Sequence, residues 1–117
     1  MAEVTIYHNP RCSKSRQTLE LLKEQGVEPV VVDYQKTPPS VEELGRILDM
    51  LGKGPLDITR TQEKRFKELG LSKQDEREQG EWLRLLHDNP KLIERPIVVH
   101  GDRAAIGRPP EDVLAIL

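Results

Sequence analysis

A chain of 117 residues has the size of one domain with a substantial core. Its 18 Lys and Arg side chains nearly balance 20 Asp and Glu side chains, and the two signs are mixed along the sequence, which argues against a general nucleic-acid binder. No apolar run approaches the roughly 18 residues of a membrane span, and the first residues lack the pattern of a secretion signal. We therefore expect one cytoplasmic domain over residues 1–117, without a membrane or nucleic-acid partner.

The first third of the chain predicts a strand, a helix and a second strand. Residues 4–8 and 27–33 have the apolar, β-branched character of strands, and residues 15–25 have leucines at helical spacing before Gly26. Residues 30–32 are three consecutive valines, a pattern typical of a strand buried on both faces. A unit of this length predicts a right-handed connection between parallel strands.

The middle of the chain predicts a helical insertion, at about residues 38–92. Ser40 has the character of an N-cap, because Glu43 follows three residues later, and it precedes a predicted helix over residues 41–51. Two more helices are predicted from apolar residues at helical spacing, over residues 61–69 and 75–87. Their large apolar side chains, which include Phe66 and Trp82, are expected to lie in the core.

The last part of the chain predicts a β-hairpin and a closing helix. Residues 96–100 and 103–106 are the strands, and Gly101 and Asp102 form the turn between them. The complete order is β-α-β, a helical block, and β-β-α around a mixed sheet. This α/β order is that of the thioredoxin and glutaredoxin architecture.

The single cysteine, Cys12, lies in an exposed turn between the first strand and the first helix. A thiol at a helix N-terminus faces unpaired backbone N–H groups and the positive end of the helix dipole, which favour the thiolate. Four basic side chains are close in sequence: His8, Arg11, Lys14 and Arg16. We therefore expect a reactive thiol rather than a buried apolar residue. Ser15 stands where a Cys-x-x-Cys motif has its second thiol, so any disulfide must form with another molecule.

Three arginines lie at the ends of predicted elements: Arg60, Arg95 and Arg108. Arginine matches oxyanions in two-point geometry, although an arginine near a loop is more often solvated or weakly paired. Arg95 precedes Pro96 at the start of the third strand, where the thioredoxin architecture has a cis peptide bond. These positions make the three arginines candidates for an anion site around the thiol.

With these motifs the chain closely resembles the glutaredoxin-linked arsenate reductase family over nearly its whole length. The matching segments are residues 7–16 (YHNPRCSKSR), 94–99 (ERPIVV) and 107–109 (GRP). The resemblance implies reduction of arsenate to arsenite, with glutathione as co-substrate and glutaredoxin as the partner that resolves the mixed disulfide. It implies neither a bound cofactor nor a metal, and the isolated histidines His87 and His100 are expected on the surface.

The resemblance also implies residue roles. Cys12 would attack the arsenic atom, and the oxyanion would be bound by Arg60, Arg95 and Arg108. His8 would help to lower the pKa of the thiol, with Ser15 and Pro96 in supporting positions.

Two other functions remain open from the sequence. The first is a glutathione-dependent thiol oxidoreductase of unknown substrate, which needs Cys12 and a glutathione groove. The second is a non-catalytic regulator of the same fold that binds RNA polymerase. Such regulators commonly use Cys-x-x-Cys as a redox switch, and Ser15 replaces the second thiol here.

Overall fold

The structure, a computed structural model, describes residues 3–117 and groups them into two units. One unit contains the chain up to Thr37 together with Arg95–Leu117, and the other is Pro38–Glu94. The second unit corresponds closely to the predicted insertion at residues 38–92. That the chain is one domain stays a prediction. Among the described residues, no helix has the length and apolar character needed to cross a bilayer.

The first unit is built on a four-stranded mixed sheet. Its elements in chain order are β1 (Val4–His8), α1 (Ser13–Glu24), β2 (Val30–Asp33), β3 (Ile97–His100) and β4 (Arg103–Ile106). The strand order is β2-β1-β3-β4, in which β1 is parallel to β2 and antiparallel to β3, and β3 is antiparallel to β4. The mixed sheet and the predicted bounds of β1 and β4 are confirmed.

The register brings four strand ends to one edge of this sheet. His8 is opposite Asp33, so β1 and β2 end together. Ile97, the first residue of β3, is paired with Tyr7 on one side and with Ile106, the last residue of β4, on the other. The segments that enter or leave these strand ends therefore share one edge, the position where open α/β sheets carry their sites.

Strand β2 differs from the prediction in both burial and length. It is an outermost strand of the sheet, with a neighbour on one side only. Val30 and Val31 are 43% and 49% exposed, so the expectation of a strand buried on both faces is wrong. A β-branched run favours a strand but carries no information on the place of that strand in the sheet. The strand begins only at Val30 because Val27 belongs to the C-terminal end of α1, where its N–H donates to the carbonyl of Leu22.

The core of the first unit lies between the sheet, α1 and the closing segment. Ile6, Leu22, Val98 and Val113 are fully buried there. The closing segment Pro110–Ile116 is a 3₁₀-helix rather than the predicted α-helix. Its bonds are of the i to i+3 type, such as that from the N–H of Asp112 to the carbonyl of Pro109, at 3.1 Å.

The second unit is helical. It contains α2 (Val41–Leu51), α3 (Lys64–Glu68) and α4 (Gln79–Asp88), with 3₁₀-helices at Pro55–Ile58 and Pro90–Leu92. Helix α2 has its predicted bounds, and the Ser40 hydroxyl accepts the N–H of Glu43 as an N-cap. Helices α3 and α4 begin later than predicted, because residues 61–63 form a turn and residues 75–78 are not helical. Phe66 and Trp82 are buried and stacked, with ring centroids 6.4 Å apart, which confirms their place in the core.

Gly107, which follows β4, is packed tightly against Thr18 of α1 and Pro96, the residue before β3. Its N–H donates to the carbonyl of Pro96 at 2.9 Å. A Cβ at residue 107 would lie 2.5 Å from the Thr18 Oγ1 atom and 2.8 Å from the Pro96 Cγ atom. Thr18 cannot easily turn away, because its hydroxyl donates to the carbonyl of Lys14 at 2.8 Å. Only glycine fits this position without displacement of its neighbours.

We expect Gly107→Ala to lower the free energy of unfolding by about 1–3 kcal/mol, because the added methyl group overpacks a site with no free space. Gly80→Ala in α4 is the matched control. A Cβ at residue 80 meets no atom within 4 Å, so this variant should be neutral or stabilised by up to about 1 kcal/mol. Urea unfolding measures both, and equal stability of Gly107→Ala and the wild type would contradict the close approach.

Candidate active site

Cys12 is the N-cap residue of α1, in extended backbone conformation. Its N–H donates to the carbonyl of Asn9 at 3.0 Å and its own carbonyl accepts the N–H of Arg16 at 3.0 Å. The predicted place at the helix N-terminus is confirmed. The expectation of an exposed turn is wrong, since Cys12 is only 9% exposed.

Opposing effects act on the Cys12 thiol. Burial raises its pKa, but the backbone N–H of Ser15, the hydrogen bond and charge of Arg95, and the backbone N–H of Lys14 lower it, and the net pKa is below its ordinary value. These donors favour the charged sulfur. At any given pH the thiolate fraction of Cys12 is therefore larger than that of an ordinary cysteine, and the thiolate is the nucleophilic form.

Two arginines of the same unit contact the thiol. The side chain of Arg95 donates to the Cys12 sulfur, and the Arg108 Nη2 atom lies 3.6 Å from it. The two arginine segments are tied together, because the Arg108 Nε–H donates to the carbonyl of Arg95 at 2.7 Å. The predicted cis bond between Arg95 and Pro96 is confirmed, and a second, unpredicted cis bond joins Arg108 to Pro109.

Arg60, the third predicted arginine, belongs to the second unit. It follows the 3₁₀-helix Pro55–Ile58, and its backbone N–H donates to the carbonyl of Leu92 at 2.7 Å. Its Nη1 atom pairs with the Glu63 carboxylate at 2.8 Å, and both side chains are about a quarter exposed. The predicted role of Arg60 beside Cys12 stays a prediction.

His8 supports the cysteine turn through Ser15. Its Nδ1 atom is 2.6 Å from the Ser15 hydroxyl, which also accepts the N–H of Asn9 at 2.9 Å. Burial lowers the pKa of His8, and the charges of Arg16 and Lys23 lower it further against the opposing effect of Asp33. His8 is thus mainly uncharged at pH 7. It holds Ser15, whose N–H faces the sulfur, rather than adding a positive charge beside the thiol.

The basic side chains near Cys12 in sequence do not dominate its environment. Arg11, Lys14 and Arg16 are exposed, and the Arg16 Nη1 atom donates to the carbonyl of Pro10 at 3.1 Å. Lys14 acts on the thiol through its backbone N–H. The side-chain charge that acts on the thiol is that of Arg95, one of the three predicted arginines, and not that of these neighbouring cations.

One residue at this edge, Tyr34, is not among the site residues predicted from the sequence. Tyr34 follows β2 directly and is fully buried, within electrostatic range of Cys12 and Arg95. Its position after a strand that ends beside the cysteine turn is the only signal that the sequence offers.

The remaining histidines are half-buried rather than on the surface as expected. His87 Nδ1 lies 2.9 Å from the carbonyl oxygen of Pro39, and His100 Nδ1 lies 2.5 Å from that of Ile116. Within residues 3–117, no group of three or more His, Cys, Asp and Glu side chains is arranged to hold a metal ion.

The sequence of the chain matches a known protein family. The sequence model of the ArsC family matches residues 7–116. The chain belongs to the ArsC family. This confirms the resemblance and, with it, the predicted thioredoxin-like fold.

Several known proteins are similar to this chain over almost its whole length. The uncharacterized protein YfgD of Escherichia coli (strain K12) is 51% identical, over 98% of this chain and 97% of that protein. A Haemophilus influenzae protein named arsenate reductase is 46% identical, over 97% of this chain and 98% of that protein. A solved structure of an arsenate reductase from Vibrio cholerae is 48% identical, with a TM-score of 0.93, over 99% of this chain and 98% of that chain.

We expect Arg95→Ala to raise the pKa of Cys12 toward its ordinary value, since the substitution removes a donor and a positive charge that stabilise the thiolate. Arg108→Ala should have a smaller effect because Arg108 is exposed and its charge is screened. The rate of iodoacetamide alkylation against pH measures the pKa directly. Exposed Arg103 of β4 provides the control variant Arg103→Ala. An unchanged alkylation profile in Arg95→Ala would show that Arg95 does not stabilise the thiolate.

Proposed function

We propose that this ArsC-family protein is an arsenate reductase, with Cys12 as the nucleophile and with glutathione and glutaredoxin as external reductants. The observation that carries the proposal is the thiol of lowered pKa with two guanidinium groups at its sulfur, those of Arg95 and Arg108. Relatives that share more than two fifths of its residues carry the name arsenate reductase, which supports the same substrate.

The arginines would reduce the electrostatic repulsion between the thiolate and arsenate. Arsenate at neutral pH is a tetrahedral anion, and a thiolate that approaches it meets a like charge. Guanidinium groups bind oxyanions in two-point geometry and offset this repulsion. Arg95 and Arg108 can therefore stabilise the thiolate before arsenate binds and the oxyanion afterwards. In the proposal Arg60 supplies a third such group.

The first step joins sulfur to arsenic. The Cys12 thiolate supplies the electron pair of the new S–As bond, and one As–O bond breaks. The departing oxygen leaves as water after it accepts protons from solvent. Arsenic remains pentavalent, so no electron has yet been transferred to it.

The second step is the reduction, and it requires an external thiol because Cys12 is the only cysteine. The glutathione thiolate attacks the Cys12 sulfur, an S–S bond forms, and the electron pair of the S–As bond stays on arsenic, which leaves as trivalent arsenite. The two sulfurs are oxidised to a mixed disulfide. Glutaredoxin then takes the glutathione sulfur by thiol exchange and releases the Cys12 thiolate.

This sequence of steps needs neither a bound cofactor nor a metal ion, and glutathione enters only as a co-substrate. It needs a compartment in which glutathione stays reduced, which places the proposed activity in the cytoplasm.

We expect Cys12→Ser to lose about 10³-fold or more of arsenate-dependent turnover, because the hydroxyl is a far weaker nucleophile than the thiolate. NADPH oxidation in an assay coupled through glutathione, glutathione reductase and glutaredoxin measures the turnover. Circular dichroism should show that the variant remains folded, and Arg103→Ala should retain the wild-type rate. Turnover that persists in folded Cys12→Ser would refute the assignment of the nucleophile.

The same assay separates the alternatives. A wild-type protein that exchanges glutathione with a disulfide substrate but does not reduce arsenate would be a thiol oxidoreductase. A folded protein without either activity would favour the non-catalytic regulator.

The role of Arg60 is tested by Arg60→Ala. We expect kcat/KM for arsenate to fall by about 10- to 100-fold, the effect of one lost charge-assisted hydrogen bond. Because Arg60 also pairs with Glu63, Glu63→Gln controls for loss of that ion pair, and exposed Arg84 provides the control Arg84→Ala. Equal kcat/KM in Arg60→Ala and the wild type would exclude Arg60 from arsenate binding.

A further inference from the structure

Two buried polar atoms of the described chain have no hydrogen-bond partner: the Tyr34 hydroxyl and the Arg95 Nε atom. Tyr34 is fully buried, with 0% of its surface exposed. Buried polar groups are nearly always paired, and an unpaired one costs free energy. A side chain kept only for packing would need no hydroxyl, so the Tyr34 hydroxyl requires an explanation.

Both atoms belong to the sheet edge that carries the thiol. Tyr34 is the first residue after β2, and because His8 is opposite Asp33, it follows its strand as Asn9 follows β1. Arg95 leads into β3, whose first strand residue pairs with Tyr7 at the same edge. The two unpaired atoms therefore lie on segments that flank the Cys12 turn.

The surroundings of Tyr34 are polar and include the reacting group. Burial raises its pKa, the charge of Arg95 and polar contacts from the side chains of Asn9 and Gln35 to the phenol oxygen lower it, and the Cys12 charge raises it, with a net increase. Contacts that lower the pKa act on the oxygen as an acceptor, and no side chain of the described residues accepts a hydrogen bond from the hydroxyl itself. The phenol therefore stays protonated at neutral pH. A protonated phenol near a thiolate and a guanidinium can donate one hydrogen bond.

We infer that the Tyr34 hydroxyl is an oxyanion-binding group, which together with the Arg95 Nε–H donates hydrogen bonds to a tetrahedral oxyanion held at Cys12. The ligand class is a tetrahedral oxyanion, of which arsenate and phosphate are the soluble probes. Such an anion has several oxygens to satisfy, and it would supply the acceptor that both buried donors lack. This inference rests on the proposed function, in which arsenate is the anion that reacts.

The test is the affinity of Tyr34→Phe for oxyanions. Phenylalanine keeps the ring and removes only the hydroxyl, and Tyr7, the other tyrosine of the chain, provides the matched control Tyr7→Phe. Protection of Cys12 from iodoacetamide by inorganic phosphate and by arsenate gives the Kd for each anion. The coupled assay gives KM and kcat for arsenate.

We expect Tyr34→Phe to raise the Kd for both anions, and the KM for arsenate, by about 10- to 100-fold, the range for one hydrogen bond to a charged group. A merely structural role would lower thermal stability without this change in Kd. Unchanged Kd values in a variant whose wild-type parent reduces arsenate would overturn the inference and leave the proposed function standing. Tyr34-dependent protection without arsenate turnover would support the inference and overturn the proposed function.

A second measurement does not depend on the folding of Tyr34→Phe. The Cys12→Ser protein labelled with 3-fluorotyrosine should give two ¹⁹F resonances, and Tyr7→Phe in the same background assigns the one from Tyr34. We expect the Tyr34 resonance to shift on addition of phosphate or arsenate, with the Tyr7 resonance unchanged. A Tyr34 resonance that does not respond to saturating anion would overturn the inference.

Discussion

The contact of Gly107 with Thr18 and Pro96 is the constraint on which the site depends. Here the end of β4 and the start of β3 pack against α1, and a hydrogen atom is the only side chain that fits between them. The residues before and after these contacts are the ones that surround the sulfur. Cys12 begins α1, Arg95 precedes Pro96 and Arg108 follows Gly107. Close packing at Gly107 thus fixes the positions of the thiol and of the two arginines beside it.

The pKa of the Cys12 thiol reflects two opposing effects, burial, which raises it, and preorganised hydrogen-bond donors, which lower it. Burial alone would keep the proton on sulfur, and the donors must outweigh that penalty. Charge-assisted hydrogen bonds contribute about 1.5–3 kcal/mol each, so a few fixed donors suffice. The backbone N–H groups at the start of α1 cost no side-chain entropy to orient. The uncharged His8 ring maintains one of them by holding the Ser15 hydroxyl.

What the sequence predicts correctly here is local, and what it misses depends on contacts between distant residues. The N-cap at Ser40 and the β-hairpin follow from a few neighbouring residues, and the structure has them where predicted. The exposure of Val30 follows from strand order, which no local pattern contains. The sequence named both Arg95 and the neighbouring cations as candidates beside Cys12, but only the fold shows that the side chain of Arg95 acts on the sulfur while Lys14 acts through its backbone N–H. The lack of an acceptor for the Tyr34 hydroxyl can be recognised only when the positions of all the surrounding atoms are known.

In the proposed function, the two kinds of donor at this edge suit two stages of anion binding. Arg108 is exposed, so its charge acts through solvent and favours the encounter with an anion, but salt screens it. The Arg95 Nε–H and the Tyr34 hydroxyl are buried, where hydrogen bonds are less screened and geometry is stricter. In the complex that we infer, an anion at Cys12 that accepts from both buried donors has a defined orientation. Because the proposed attack on arsenic requires an aligned leaving oxygen, the buried donors would supply an orientation that the exposed arginine cannot.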